Sequence, residues 1–134
     1  MTRRVTVALL IASLIVVSAP AATAANLLVV KISSGNVELD ANGSVLVPLR
    51  ARCQPPLDAF EVDVSVRQGA TFGSAVLLGT EFPACDGRWH QTTISVAPEA
   101  GAFAPGVATV DASLSAFHPD EGDQITFDTA TVRL

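Results

Sequence analysis

The chain has 134 residues, 49% of them apolar and 16% charged, with 13 acidic against 8 basic side chains and a formal charge of −5. That composition excludes a disordered polyampholyte, and the length allows at most one ordinary domain. The acid excess argues against nucleic acid and anionic surfaces as partners, because their binding rests on clustered Lys and Arg.

In chain order, the first element is a leader. Arg3 and Arg4 precede an uncharged apolar run at 5–17, and Pro20 and Ala22-Thr23-Ala24 follow. A basic, then apolar, then small-residue order is the pattern of a helical secretory signal peptide. The run is also shorter than the about 20 residues that a spanning helix needs. Cleavage is expected after Ala24, leaving 25–134 as a secreted, extracellular domain with no membrane attachment. Arg3-Arg4 also admits a twin-arginine route, which the following Val5-Thr6-Val7 matches less well. Loss of Arg3 and Arg4 leaves six basic residues against thirteen acidic ones, a formal charge of −7. Such an excess favours solubility and a monomer.

The rest reads as about seven short strands: 27–33, 44–53, 59–68, 75–82, 88–97, 107–117 and 124–133. A short edge strand at 36–40 would add one more. Alternation of period two carries this reading. Val45, Val47, Leu49, Ala51 and Cys53 share one face. Phe60, Val62, Val64 and Val66 alternate with Glu61, Asp63, Ser65 and Arg67. Ala108, Val110, Ala112, Leu114 and Ala116 form a third row. In the last strand Ile125 and Phe127 are out of phase with Ala130, Val132 and Leu134, so a one-residue bulge near Asp128-Thr129 is expected. Residues 69–84 show the weakest alternation. Turn residues such as Asn42-Gly43, Asp86-Gly87 and Pro105-Gly106 separate the runs. The layout predicts an all-β, immunoglobulin-like antiparallel β-sandwich.

Cys53 and Cys85 both fall in the exported part, where a disulfide is the expected state. No C-x-x-C occurs, and two Cys with two distant His make a poor zinc signature. In this topology the second and fifth strands are antiparallel neighbours. Cys53 ends the second and Cys85 just precedes the fifth, so the bond should join one pole of one sheet.

With Cys53, Val66-Arg67-Gln68, Cys85-Asp86-Gly87 and Pro105-Gly106-Val107-Ala108 in view, the chain resembles small secreted actinobacterial proteins of unknown function. The resemblance covers most of 35–134. It implies secretion, the disulfide and the sandwich, and it brings no activity.

Two segments carry candidate sites. Asp86, Arg88, Trp89 and His90 form a candidate binding patch at a pole, with Trp89 on the outward phase if Ile94 and Val96 point inward. The simpler alternative packs Trp89 over the disulfide or the sheet edge. His118, Asp120, Glu121 and Asp123 offer dense oxygen ligands of the kind calcium takes, but their spacing differs from the EF-hand loop. A hairpin turn is naturally polar and a solvated turn is the simpler reading, so no metal is assigned. No G-x-S-x-G or phosphate loop is present, and only His90 and His118 offer an imidazole base. A non-enzymatic domain without a cofactor is therefore expected. Its partner would be an extracellular protein, an envelope component or a small ligand. The alternatives are a weak metal-binding protein or a small-molecule carrier. The carrier reading rests on a resemblance in size and acidity to the immunoglobulin-like apoproteins that bind enediynes, which usually carry two disulfides.

Overall fold

The computed structural model describes residues 27–79 and 82–134, so the expected leader at 1–24 lies outside them. The strands are β1 (Leu28–Ile32), β2 (Glu38–Leu39), β3 (Val45–Cys53), β4 (Asp58–Gln68), β5 (Thr71–Leu78), β6 (Trp89–Val96), β7 (Val107–His118) and β8 (Gly122–Arg133). A single 3-10 turn, Ser34–Asn36, is the one helical element among the described residues. None of their helices is long and apolar enough to cross a membrane.

Every strand pairing is antiparallel. In the first sheet β1 and β2 lie in succession along one edge of β3, and β6 pairs with its other edge. The second sheet has the order β5-β4-β7-β8. The two sheets pack as the expected immunoglobulin-like sandwich.

The alternation explains the core. Val45, Val47, Leu49, Ala51 and Cys53 of β3 are buried. So are Val62, Val64 and Val66 of β4, and Ala108, Val110, Ala112, Leu114 and Ala116 of β7. Branched Val suits a pleated, half-buried surface. Each fully buried Val or Leu contributes roughly 1.5–3 kcal/mol. Among the described residues no polar or charged residue is buried as a whole. The Ile32 N–H donates to Asp128 Oδ2 at 2.8 Å, which ties β1 of one sheet to β8 of the other.

The disulfide forms between Cys53 and Cys85, with Cα atoms 4.4 Å apart. Cys53 is the last residue of β3, and Arg52 beside it pairs with Trp89, the first residue of β6. The bond therefore closes one pole of the first sheet and does not cross between sheets. Cys85 Sγ also accepts from the Ala59 N–H at 3.2 Å, which fastens that pole to β4.

Four expectations need correction. Phe60 does not point inward with Val62: the register between β4 and β7 shifts at Ala59/Glu61, and this bulge leaves Phe60 40% exposed. No bulge interrupts β8, whose pairing with β7 runs unbroken from Gly122 to Arg133. Ile125 and Phe127 therefore stay on the outward phase, while Val132 is buried. The strand expected at 75–82 lies at Thr71–Leu78 and forms a tight hairpin with β4, in which Gln68 pairs with Thr71. The segment at 36–40 shortens to Glu38–Leu39, because a 3-10 turn takes Ser34–Asn36.

Candidate functional site

The patch at 85–90 is built on a tight turn. The Asp86 carboxylate accepts from the Arg88 N–H at 2.9 Å and lies 2.8 Å from His90 Nε2. Gly87 has φ 78, in the left-handed region that glycine enters without strain. Its N–H donates to the Cys53 carbonyl at 2.9 Å. The disulfide and this bond hold both ends of the turn against β3. The hydrogen bond from His90, and after it the one from the Arg88 backbone, hold the Asp86 carboxyl below its usual range. Chemically, Asp86 and His90 act as a brace that fixes where β6 begins.

Trp89 takes the outward phase of β6, directly opposite Arg52, and is 41% exposed. It does not lie over the disulfide. Its ring has the Arg50 guanidinium carbon 4.7 Å and that of Arg52 5.3 Å from its centroid. Both are within cation–π range. Arg52 Nε is buried there without a hydrogen-bond partner. Lys31 on β1 stands directly opposite Arg50 on β3. Three cations thus share the outer face of the first sheet with Trp89, and none of them joins an ion pair among the described residues. Like charges directly opposite each other in a sheet are unfavourable.

The second candidate, at 118–123, closes the hairpin from β7 to β8. His118 Nδ1 accepts from the N–H groups of Asp120 and Glu121, both at 3.1 Å. The imidazole thus serves the turn. Among the described residues no group of three or more His, Cys, Asp and Glu side chains is placed to hold a metal ion. His90, His118 and Asp120 are not gathered into one site.

The sequence reading missed the outer face of the second sheet. Phe60, Val76, Leu78, Phe117, Ile125 and Phe127 are all exposed there, Leu78 and Phe127 by more than two thirds. Interleaved with them are the carboxylates of Glu61 and Asp63 on β4 and Asp111 on β7. The cross-strand rows run Leu78, Glu61, Ser115, Ile125 and Val76, Asp63, Ser113, Phe127. A shallow cavity of about 160 Å³ opens on this face, lined by Asp63, Ser65, Asp111, Ser113, Phe127 and Thr129. That is below the roughly 300–1,000 Å³ of drug-sized ligand pockets. Thr129 Oγ1 donates to Asp111 Oδ1 at 2.7 Å, so this carboxylate is held in place. The signal for it in the sequence is the phase conflict in β8, which marks an apolar outer face and no bulge.

No protein-family model matches the chain, and none of the curated proteins matches it.

Proposed function

We propose that the chain is a secreted, non-enzymatic interaction module, cleaved after Ala24 and active outside the cell. The observation that carries this reading is the clustering of six large apolar side chains on the outside of one sheet. Large apolar side chains left exposed in this number on one face have no role in the core and mark a contact surface. The leader pattern and the disulfide in a small β domain support an extracellular site. The same features are those of the secreted actinobacterial proteins that the sequence resembles. The carrier reading has less support, because the acidic cavity on the second sheet is shallow and small for an enediyne-sized guest.

Expression of the full chain in an exporting bacterium tests the localisation. The expected product is found in the medium, oxidised, with Ala25 as its first residue. Native mass spectrometry of that product tests the role. A polypeptide retained on the domain supports the module, whereas stoichiometric retention of a small organic molecule would overturn it in favour of a carrier.

A further inference from the structure

The two outer faces carry triads of opposite charge, although Lys31 stands directly opposite Arg50 while Asp111 stands opposite Ser65, one row beyond Asp63. Arg67 and Arg133 also lie on the second face, and Glu38 on the first. On the first sheet Arg50 and Arg52 lie two residues apart on β3, and Lys31 stands on the neighbouring strand. On the second sheet Glu61 and Asp63 lie two residues apart on β4, and Asp111 stands on the neighbouring strand. Each triad has an aromatic ring on its own face, Trp89 beside the cations and Phe127 beside the carboxylates. Neither triad is neutralised within the domain by an ion pair among the described residues.

We propose that a second copy of this chain is the occupant of the second sheet's outer face, docking there with the outer face of its own first sheet. This rests on the interaction-module reading and names the partner for it. Arg side chains suit the role, since a guanidinium can pair with a carboxylate through two parallel hydrogen bonds. The arrangement is heterologous, with different patches meeting, so each docked copy leaves one face of each kind free. Repetition gives a head-to-tail stack, not a closed dimer.

The charge of −7 on the exported part does not forbid this. Stacked sandwiches would have centres about 20 Å apart, with sheets spaced about 10 Å within each. The screening length at physiological salt is about 8 Å, so overall repulsion is damped while the triads meet well inside it. The monomer expected from composition is then the dilute state. A three-stranded face about 14 Å wide and about 26 Å long offers roughly 400 Å². That is about half the contact per partner of a standard interface, so the association is weak and depends on concentration.

The test uses the oxidised protein recovered after export, followed by sedimentation velocity from micromolar to millimolar concentration. The wild type should show a rising average mass that falls back in high salt. Two neutralised variants, Lys31→Gln/Arg50→Gln and Glu61→Gln/Asp63→Asn, change exposed or half-buried outer-face residues. Unchanged circular dichroism and melting would show that both still fold. Each alone should stay monomeric at concentrations where the wild type associates. Mixed, they should form a 1:1 dimer and nothing larger, because each retains one intact face and caps the other. A wild type that is monomeric throughout, variants that associate as the wild type does, or a mixture that grows beyond a dimer would each overturn the proposal. Retention of a foreign polypeptide by a wild type that never self-associates would refute the self-docking and leave the module reading standing.

Discussion

On their inner sides the two sheets offer the same chemistry. Val45, Val47 and Leu49 of β3 face the core from one layer, and Val62, Val64, Val110 and Leu114 of β4 and β7 from the other. On their outer sides they diverge. The first sheet presents Lys31, Arg50, Arg52 and Trp89, while the second presents Glu61, Asp63 and Asp111 among exposed Phe, Leu, Ile and Val. The inner faces need only apolar residues of suitable volume at alternate positions. The outer faces are free of that demand. The gathering of Lys31, Arg50 and Arg52 on one side and of Glu61, Asp63 and Asp111 with apolar groups on the other, where Arg67 and Arg133 also lie, is therefore not required by folding, and it is where functional information lies.

The disulfide tests whether the two sheets are equally secure. It fastens the narrower first sheet, closing a loop between residues 32 apart in sequence. Replacement of Cys53 and Cys85 by Ser should cost about 3–4 kcal/mol in the chain-entropy model. Hydrogen exchange should show protection falling first in β1, β3 and β6, with β4 and β7 retaining theirs longer. Equal loss in both sheets would show that they unfold as a single unit.

The contrast between inner and outer sides can be broken on β7 and β8 directly. Leu114→Ala empties a fully buried position and should cost on the order of 3 kcal/mol. Phe127→Ser removes a larger side chain from the outer face and should change stability by no more than about 0.5 kcal/mol. Urea denaturation of both variants provides the comparison. A large loss for Phe127→Ser would make the outer face part of the fold and remove the argument for a contact surface.

The sequence made the inner faces legible because strict alternation has one reading. It placed β3, β4 from Ala59 onward, β6 and β7 within a residue or so, and it paired the two cysteines. It failed where two phases compete. Phe60 looks like the first of an inward row, and only the partner strand reveals that the Ala59/Glu61 bulge turns it out. Ile125 and Phe127 look like core residues because Phe and Ile usually are. For the candidate site, the outward phase of Trp89 was readable along β6. Its contact with Arg50 and Arg52 was not, since that depends on cross-strand register. The start of β5 was obscured by Gly73, which reads as a strand breaker. A Cβ at Gly73 would come 2.3 Å from the Ala97 carbonyl oxygen, just beyond β6. Here the two sheets approach backbone to backbone. Gly73→Ala should cost about 2 kcal/mol, in the range for overpacking, with the melting temperature as the measure. A neutral outcome would mean that β5 can move away from the first sheet without loss.

Trp89 sharpens the account of the basic face. If its ring is held by the two guanidinium groups, Trp89→Ala should cost about 0.5–1 kcal/mol, the value for an exposed cation–π contact. Arg50→Gln should shift the fluorescence of the protein's single Trp. An unchanged spectrum would place the ring under the control of the sheet edge instead.

The smallest effect belongs to the turn that starts β6, and its sign follows from the carboxyl. Asp86 is held below its usual range chiefly by the bond from His90. Its charged form is favoured in the folded chain, so its contribution to stability is present above the unfolded value of about 3.9 and is lost as pH falls through the lower folded value. The group is exposed, which keeps the contribution small. Asp86→Asn retains an acceptor for the Arg88 N–H but not the negative charge facing His90. The wild type should therefore be slightly more stable than the variant at neutral pH, and the gap should close in strong acid. Urea midpoints at both pH values measure it. A gap that persists after the carboxyl is protonated would mean that the turn is held by its shape and its bond to Cys53, and that the Asp86–His90 pair contributes nothing to the pole.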